Sequence, residues 1–215
     1  MEKTLTSSLK KIVSVIFCVL LAIQCTKTET VGLISENAMV VSARHEASQI
    51  GASIMQKGGN AFDAMIATQF ALAVAYPVAG NIGGGGFMVY RSADGKTGSI
   101  DYREKAPLAA SKNMYLDESG ELIKEKSLLG AYALGVPGTV AGIIEIYDKF
   151  ASLPMEELIQ PAIDLARNGI VITEKQAHSI QSARLSFQKA NNYKILLDDD
   201  WKAGDRMQFE ELAMT

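Results

Sequence analysis

Gly83-Gly84-Gly85-Gly86-Phe87-Met88-Val89-Tyr90, continued by Ser92-Ala93-Asp94-Gly95-Lys96-Thr97-Gly98 and Ser99-Ile100-Asp101-Tyr102-Arg103, is the stretch on which the fold turns. The glycine run lets backbone approach backbone closely before an apolar strand starts at Phe87. Asp94-Gly95 is a strong hairpin signal and returns the chain antiparallel through residues 99–103. Alternation with period two then places Ile100 and Tyr102 on one face and Asp101 and Arg103 on the other.

Working back from the hairpin, residues 61–76 read as a helix that is apolar on nearly every side, with alanine at 61, 64, 67, 71, 73 and 75. Such a helix must be buried, and it is short for a membrane span, which takes about 20 residues. Asn60 suits its N-cap, Asp63 complements the dipole of its first turn, and Pro77 breaks it. Ahead of it, Ala47, Ile50, Gly51, Ile54 and Met55 draw one apolar helical stripe that Gly58-Gly59 ends. Met39-Val40-Val41-Ser42-Ala43 reads as a short buried strand.

Working forward, residues 131–136 read as a strand, with Pro137 in the first turn of a helix through Ile143, Ile144 and Tyr147. Pro154 opens a helix striped by Met155, Leu158, Ile159, Ala162 and Ala166. Pro161 is expected to kink or split it, and Gly169 to end it. Thr173 caps a polar helix reaching about Lys189, and Glu210-Glu211-Leu212-Ala213-Met214-Thr215 looks like a further helix just beginning, which reads as a truncation. Strands followed mainly by helices predict an α+β layered domain rather than alternating βαβ units.

The 215 residues are 48% hydrophobic and 21% charged, enough for one folded core. A net charge of −3 provides no basic field for phosphate backbones, so no nucleic acid partner is expected. At the start, Lys3, Lys10 and Lys11 precede an uncharged, mostly apolar run over 12–23. Residues 1–25 therefore read as a cleaved export signal, with an uncleaved interfacial anchor as the rival. Cys25 stands where bacterial lipoproteins carry their lipidated cysteine, and Gln24 stands where a small residue is usual, so plain secretion is the alternative. The expected location is periplasmic or lipid-anchored at a bacterial membrane, otherwise secreted. The only cysteines, Cys18 and Cys25, lie in this leader, which leaves residues 26–215 without a disulfide.

Several constellations fail on inspection. Gly83 and Gly85 would need a glycine at 88 to make a dinucleotide fingerprint, and Met88 is there; Gly95-Lys96-Thr97 lacks the P-loop glycine, replaced by Tyr90. His45 and His178 have no cysteine beside them and no metal-ligand spacing, so no metal site is expected. His45 at a helix start is a capping or surface residue before it is a general base. Arg103 invites two readings. Its guanidinium fork can grip a carboxylate bidentately, or it can merely pair with Asp101 or Glu104 at a sheet edge.

Five segments in order decide between these readings: Lys57-Gly58-Gly59-Asn60-Ala61-Phe62-Asp63-Ala64, Asn81-Ile82-Gly83-Gly84-Gly85-Gly86-Phe87, Asp101-Tyr102-Arg103-Glu104-Lys105-Ala106-Pro107, Gly135-Val136-Pro137-Gly138-Thr139-Val140-Ala141-Gly142 and Gln160-Pro161-Ala162-Ile163-Asp164-Leu165-Ala166-Arg167-Asn168-Gly169. Together they resemble the start of the large subunit of γ-glutamyltransferases, with residues 26–215 as a truncated N-terminal part of it. The resemblance implies an N-terminal-nucleophile hydrolase-like αββα sandwich, of which this chain holds the helix-rich N-terminal half. It also implies an acyltransferase, made as a self-cleaving precursor, that takes the γ-glutamyl group from glutathione or another γ-glutamyl compound. The group passes through a threonine acyl-enzyme to water or an amino acid, and no cofactor is needed.

Arg103 occupies the family position that binds the α-carboxylate of the γ-glutamyl group, with Asp101 and Glu104 in orienting or structural roles. No threonine of the chain is followed by the family's threonine-histidine cleavage pair. The nucleophile is thus expected in a missing C-terminal half or small subunit, and the chain alone is expected to be inactive. The contrasting reading is a non-catalytic exported paralogue that binds γ-glutamyl compounds or pairs with a separate catalytic subunit.

Overall fold

The computed structural model describes Gly32 and residues 34–215. Cys18, Cys25 and the leader reading over 1–25 lie outside the described residues. Among the described residues the order begins with two helices, α1 (His45–Gln56) and α2 (Ala61–Ala75), followed by the hairpin strands β1 (Phe87–Arg91) and β2 (Thr97–Asp101). After a long connection with two short 3₁₀ turns come α3 (Thr139–Phe150), α4 (Met155–Asn168), β3 (Ile170–Val171), α5 (Glu174–Ala190), β4 (Arg206–Met207) and α6 (Glu210–Met214). The strands form two separate antiparallel pairs, β1 with β2 and β3 with β4.

Helix α2 is the spine, as its all-round apolar sequence requires: nine of its 15 residues are buried. Ile66 and Ala67 join Ile54 of α1, Met88 of β1, Ile143 and Ile146 of α3 and Leu158 of α4 in one core cluster. At its other end Val74 and Ala75 meet Ala166, Ile170, Ile172, Ile180 and Met207 in a second. Each fully buried Ile or Leu stabilises the fold by about 1.5 to 3 kcal/mol relative to exposure. The hairpin is fastened by a ring cluster, with Phe62 stacked on Phe150 at 4.4 Å and Tyr90 4.9 Å from Phe150.

The start of α2 is held more firmly than a simple cap would hold it. Asn60 Oδ1 accepts the Phe62 and Asp63 amides, and Asp63 Oδ2 accepts the Asn60 amide, closing a capping box. Asp63 also receives the Ser152 hydroxyl at 2.5 Å and the Ser152 and Leu153 amides at 3.0 and 3.3 Å, tying the α3–α4 turn to α2. Burial pushes the Asp63 pKa up, but the bonds donated by Ser152, Asn60 and Leu153 outweigh it and hold the carboxyl below the ordinary aspartate range.

Three expectations need correction. Residues 39–43 form no strand: Met39 and Val41 are exposed, and the segment joins no ladder among the described residues. Residues 131–136 contain a 3₁₀ turn over Ala131–Ala133, and only Val136 pairs, with Lys105. Pro161 does not split α4, which runs unbroken through it. Burial of Leu158 and Ala162 on one stripe holds the helix together where one intrahelical bond is missing.

Candidate functional site

Three of the quoted segments meet at the end of the hairpin. Beyond β2, Tyr102 continues the pairing with Gly86, its amide donating at 3.0 Å and its carbonyl accepting at 3.4 Å. Ile100 and Tyr102 face the core while Asp101 and Arg103 face outward, as alternation predicts. One residue earlier in the glycine run, a Cβ on Gly85 would come within 2.7 Å of the Tyr102 carbonyl and 2.8 Å of Arg103 Cα. Only glycine permits that approach.

From the other side, the Gly84 carbonyl accepts the amides of Gly138 and Thr139 at 2.7 and 3.0 Å. These are donors that the first turn of a helix leaves unpaired, and their capture by the glycine run explains why α3 begins at Thr139 rather than at Pro137. Gly142, one turn into α3, lies against the root of the Tyr102 side chain, where a Cβ would come within 2.2 Å of Cγ. Burial raises the pKa of Tyr102, so its hydroxyl stays protonated at neutral pH. Lys105 and Val136 exchange backbone bonds at 3.1 and 2.7 Å and complete the junction.

On this frame Arg103 projects outward with 62% of its side chain exposed. Its amide donates to Asp101 Oδ1 at 2.9 Å, so Asp101 braces the backbone of Arg103 rather than pairing with the guanidinium. Nε lies 3.5 Å from Glu104 Oε2, and the guanidinium carbon sits 5.6 Å from the centre of the Phe87 ring. Among the described residues no acceptor is paired with Nη1 or Nη2. A guanidinium held at its stem with both terminal nitrogens open can receive a carboxylate bidentately.

The other candidates sit apart from this junction. His45 opens α1 and His178 lies on α5, both exposed. Among the described residues no group of three or more His, Cys, Asp or Glu side chains is placed to hold a metal ion, and no helix is long and apolar enough to cross a membrane. The hydroxyls of Thr68, Thr173 and Thr215 are engaged in hydrogen bonds within, at the start of and at the end of their helices, respectively. An apolar cavity of about 460 Å³, edged by Phe70, Val140, Ile144, Ile159 and Leu212, lies among α2, α3, α4 and α6.

Sequence reasoning assigned no role to Asn81 and Thr139, although both stand inside quoted segments. Asn81 Oδ1 accepts the Gly84 amide at 2.6 Å and the Thr139 hydroxyl at 2.8 Å. An asparagine three residues ahead of a glycine is a turn former, and that was the only local signal available.

The family model described as Gamma-glutamyltranspeptidase matches residues 47–215. A glutathione hydrolase proenzyme of Pseudomonas sp. (strain A14) is 42% identical over 217 aligned positions, covering 99% of this chain and 37% of that protein. The chain thus spans little more than a third of that relative's length. Among solved structures, the γ-glutamyltranspeptidase of Helicobacter pylori superposes with a TM-score of 0.80 at 42% identity, over 85% of this chain and 53% of that one. That of Pseudomonas nitroreducens, solved in complex with L-DON, superposes with a TM-score of 0.79 at 44% identity, over 84% and 53%. The helix-rich α+β architecture is that of these N-terminal-nucleophile hydrolases.

Proposed function

The chain belongs to the γ-glutamyltranspeptidase family, and from that premise we propose that it is the N-terminal portion of an exported glutathione hydrolase proenzyme in which Arg103 grips the α-carboxylate of the γ-glutamyl group. The observation that carries this reading is the open guanidinium fork at the point where three separate segments lock the backbone. A planar fork on a rigid support suits a carboxylate better than a mobile lysine would, because less freedom is lost on binding.

In this reading the reacting threonine and its oxyanion donors come from sequence beyond residue 215. The threonine hydroxyl adds to the γ-amide carbonyl, and its proton passes through the threonine's own α-amine to the departing amine. The resulting γ-glutamyl ester is then cleaved by water or by an amino-acid amine, which restores the hydroxyl. Arg103 takes no proton in these steps; it fixes the substrate so that the carbonyl is presented correctly. Residues 1–25 direct export, and Cys25 carries the lipid that anchors the mature protein.

The test is to read the gene beyond codon 215, express the complete frame and measure γ-glutamyl anilide and glutathione turnover alongside gel analysis of self-cleavage. Turnover that depends on the Arg103 side chain is the expected result. A stop codon after Thr215 with no partner gene, or turnover indifferent to Arg103→Leu, would sink the proposal. Labelling with a fatty acid in cells checks the anchor, where Cys25→Ala should abolish incorporation.

A further inference from the structure

We infer that Asn81 and Thr139 are positioning residues for Arg103, acting through the backbone of the glycine run; this rests on the reading that Arg103 holds the substrate carboxylate. Asn81 Oδ1 accepts from both the Gly84 amide and the Thr139 hydroxyl, and the Gly84 carbonyl in turn accepts from the Gly138 and Thr139 amides. These bonds close a cycle between two segments far apart in the chain. Thr139 is fully buried, so its hydroxyl has no water to turn to.

The cycle fixes Gly84, and Gly85 follows it directly against the Arg103 Cα and the Glu104 amide, with 2.8 Å to either from where a Cβ would stand. Any shift of the glycine run is therefore passed to the backbone that carries the guanidinium. Neither Asn81 nor Thr139 is paired with the Arg103 side chain, so the effect is on where the fork stands and not on its charge. Binding groups lose effect when displaced by as little as about 0.5 Å.

The experiment uses the complete proenzyme and γ-glutamyl-p-nitroanilide. Thr139→Val removes the hydroxyl at nearly constant volume and is expected to raise KM roughly 2- to 10-fold, the range of one hydrogen bond's net contribution, while kcat stays within about twofold. Thr139→Ser, which keeps the hydroxyl, should restore KM. In an Arg103→Leu background Thr139→Val should add almost nothing, because the fork it positions is gone. An equal KM increase in both backgrounds, or a loss confined to kcat, would overturn the inference. If Thr139→Val does not accumulate, Asn81→Asp, which keeps the shared acceptor, should hold KM near the parent value, and Asn81→Ala should raise it. Equal KM in those two variants also overturns it. Failure of the underlying reading looks different: Arg103→Leu alone would then leave KM unchanged.

Discussion

Asp63 and Arg103 are both charged residues inside short recognisable segments, and the fold treats them in opposite ways. Asp63 has no exposed surface and accepts four hydrogen bonds, from Asn60, Leu153 and twice from Ser152. Arg103 stands in solvent, braced through its amide and Nε, with its terminal nitrogens open. A buried charge whose bonding capacity is used up by the protein serves folding. An exposed one on a rigid mount, with capacity to spare, is available to something else. Residue type and motif membership alone do not separate these two fates; the partners do.

The comparison is broken most severely at Arg103. In the complete protein, Arg103→Leu should lower kcat/KM for a γ-glutamyl anilide by about 2 to 5 kcal/mol, because the substrate carboxylate loses a charge-assisted bidentate partner. Arg103→Lys should recover only part of the loss, since an ammonium lacks the planar fork. Denaturant midpoints of both variants should stay within about 0.5 kcal/mol of the parent, as expected for an exposed side chain. A large stability loss would place Arg103 with Asp63 on the folding side.

Asp63→Asn should do the reverse, costing about 1 to 3 kcal/mol of folding stability while leaving KM of the folded fraction unchanged. An amide can accept at one end only, so donors from Asn60 or Ser152 would face an NH₂ group. The pH dependence carries the same signature. Because the folded pKa of Asp63 lies below the unfolded value of about 3.9, its contribution is complete above that pH and is lost as pH falls through the depressed folded value. Acid titration of the unfolding midpoint should thus be steeper below about pH 4 for the parent than for Asp63→Asn.

What was legible in the sequence divides along the same line between local and distant partners. The N-caps at Asn60 and Thr173, the Asp94-Gly95 turn and the helix stops at Gly58 and Gly169 all depend on neighbours within a few residues, and each appears where the pattern puts it; the return bonds that Asp63 and Gln176 accept to close the two capping boxes are added by the structure. Ser152 as the second partner of Asp63, and Thr139 as the partner of Asn81, are long-range pairings with no periodic signature. Strand readings at 39–43 and 131–136 failed for that reason too, since an apolar run becomes a strand only when another strand lies beside it. Arg103 was singled out by residue type, but its preference over a plain edge ion pair came from the resemblance and not from spacing.

A smaller effect should follow from filling the space behind Tyr102. Gly142→Ala would place a methyl carbon 2.2 Å from Tyr102 Cγ and 2.5 Å from its Cβ, atoms close to the backbone that cannot swing aside, an overpacking at the upper end of about 1 to 3 kcal/mol. Replacing glycine by alanine inside α3 returns about 1 kcal/mol of helix propensity. A net stability loss of about 2 kcal/mol is expected by chemical denaturation, accompanied by a higher KM because the Tyr102–Arg103 backbone must yield. A stability loss with KM unchanged would show that the junction absorbs the methyl without moving Arg103.

The smallest expected effect concerns Glu104, whose carboxylate either competes with substrate for Arg103 or steadies it. Its contact is to Nε alone at 3.5 Å, which leaves the end-on pair Nη1 and Nη2 open, and both side chains are more than a third exposed. A competitor would engage Nη1 and Nη2, which it does not. Glu104→Gln should therefore raise KM for the anilide rather than lower it. The change should stay under about 1 kcal/mol, the limit for a solvent-exposed ion pair. Added salt should shrink the difference between parent and variant, because an exposed pair is screened within about 10 Å at 0.1 M. A lower KM in Glu104→Gln would mean that the carboxylate occupies the fork in the free protein, and the contrast with Asp63 would then be one of degree: Arg103 would already have a partner, and substrate would have to displace it.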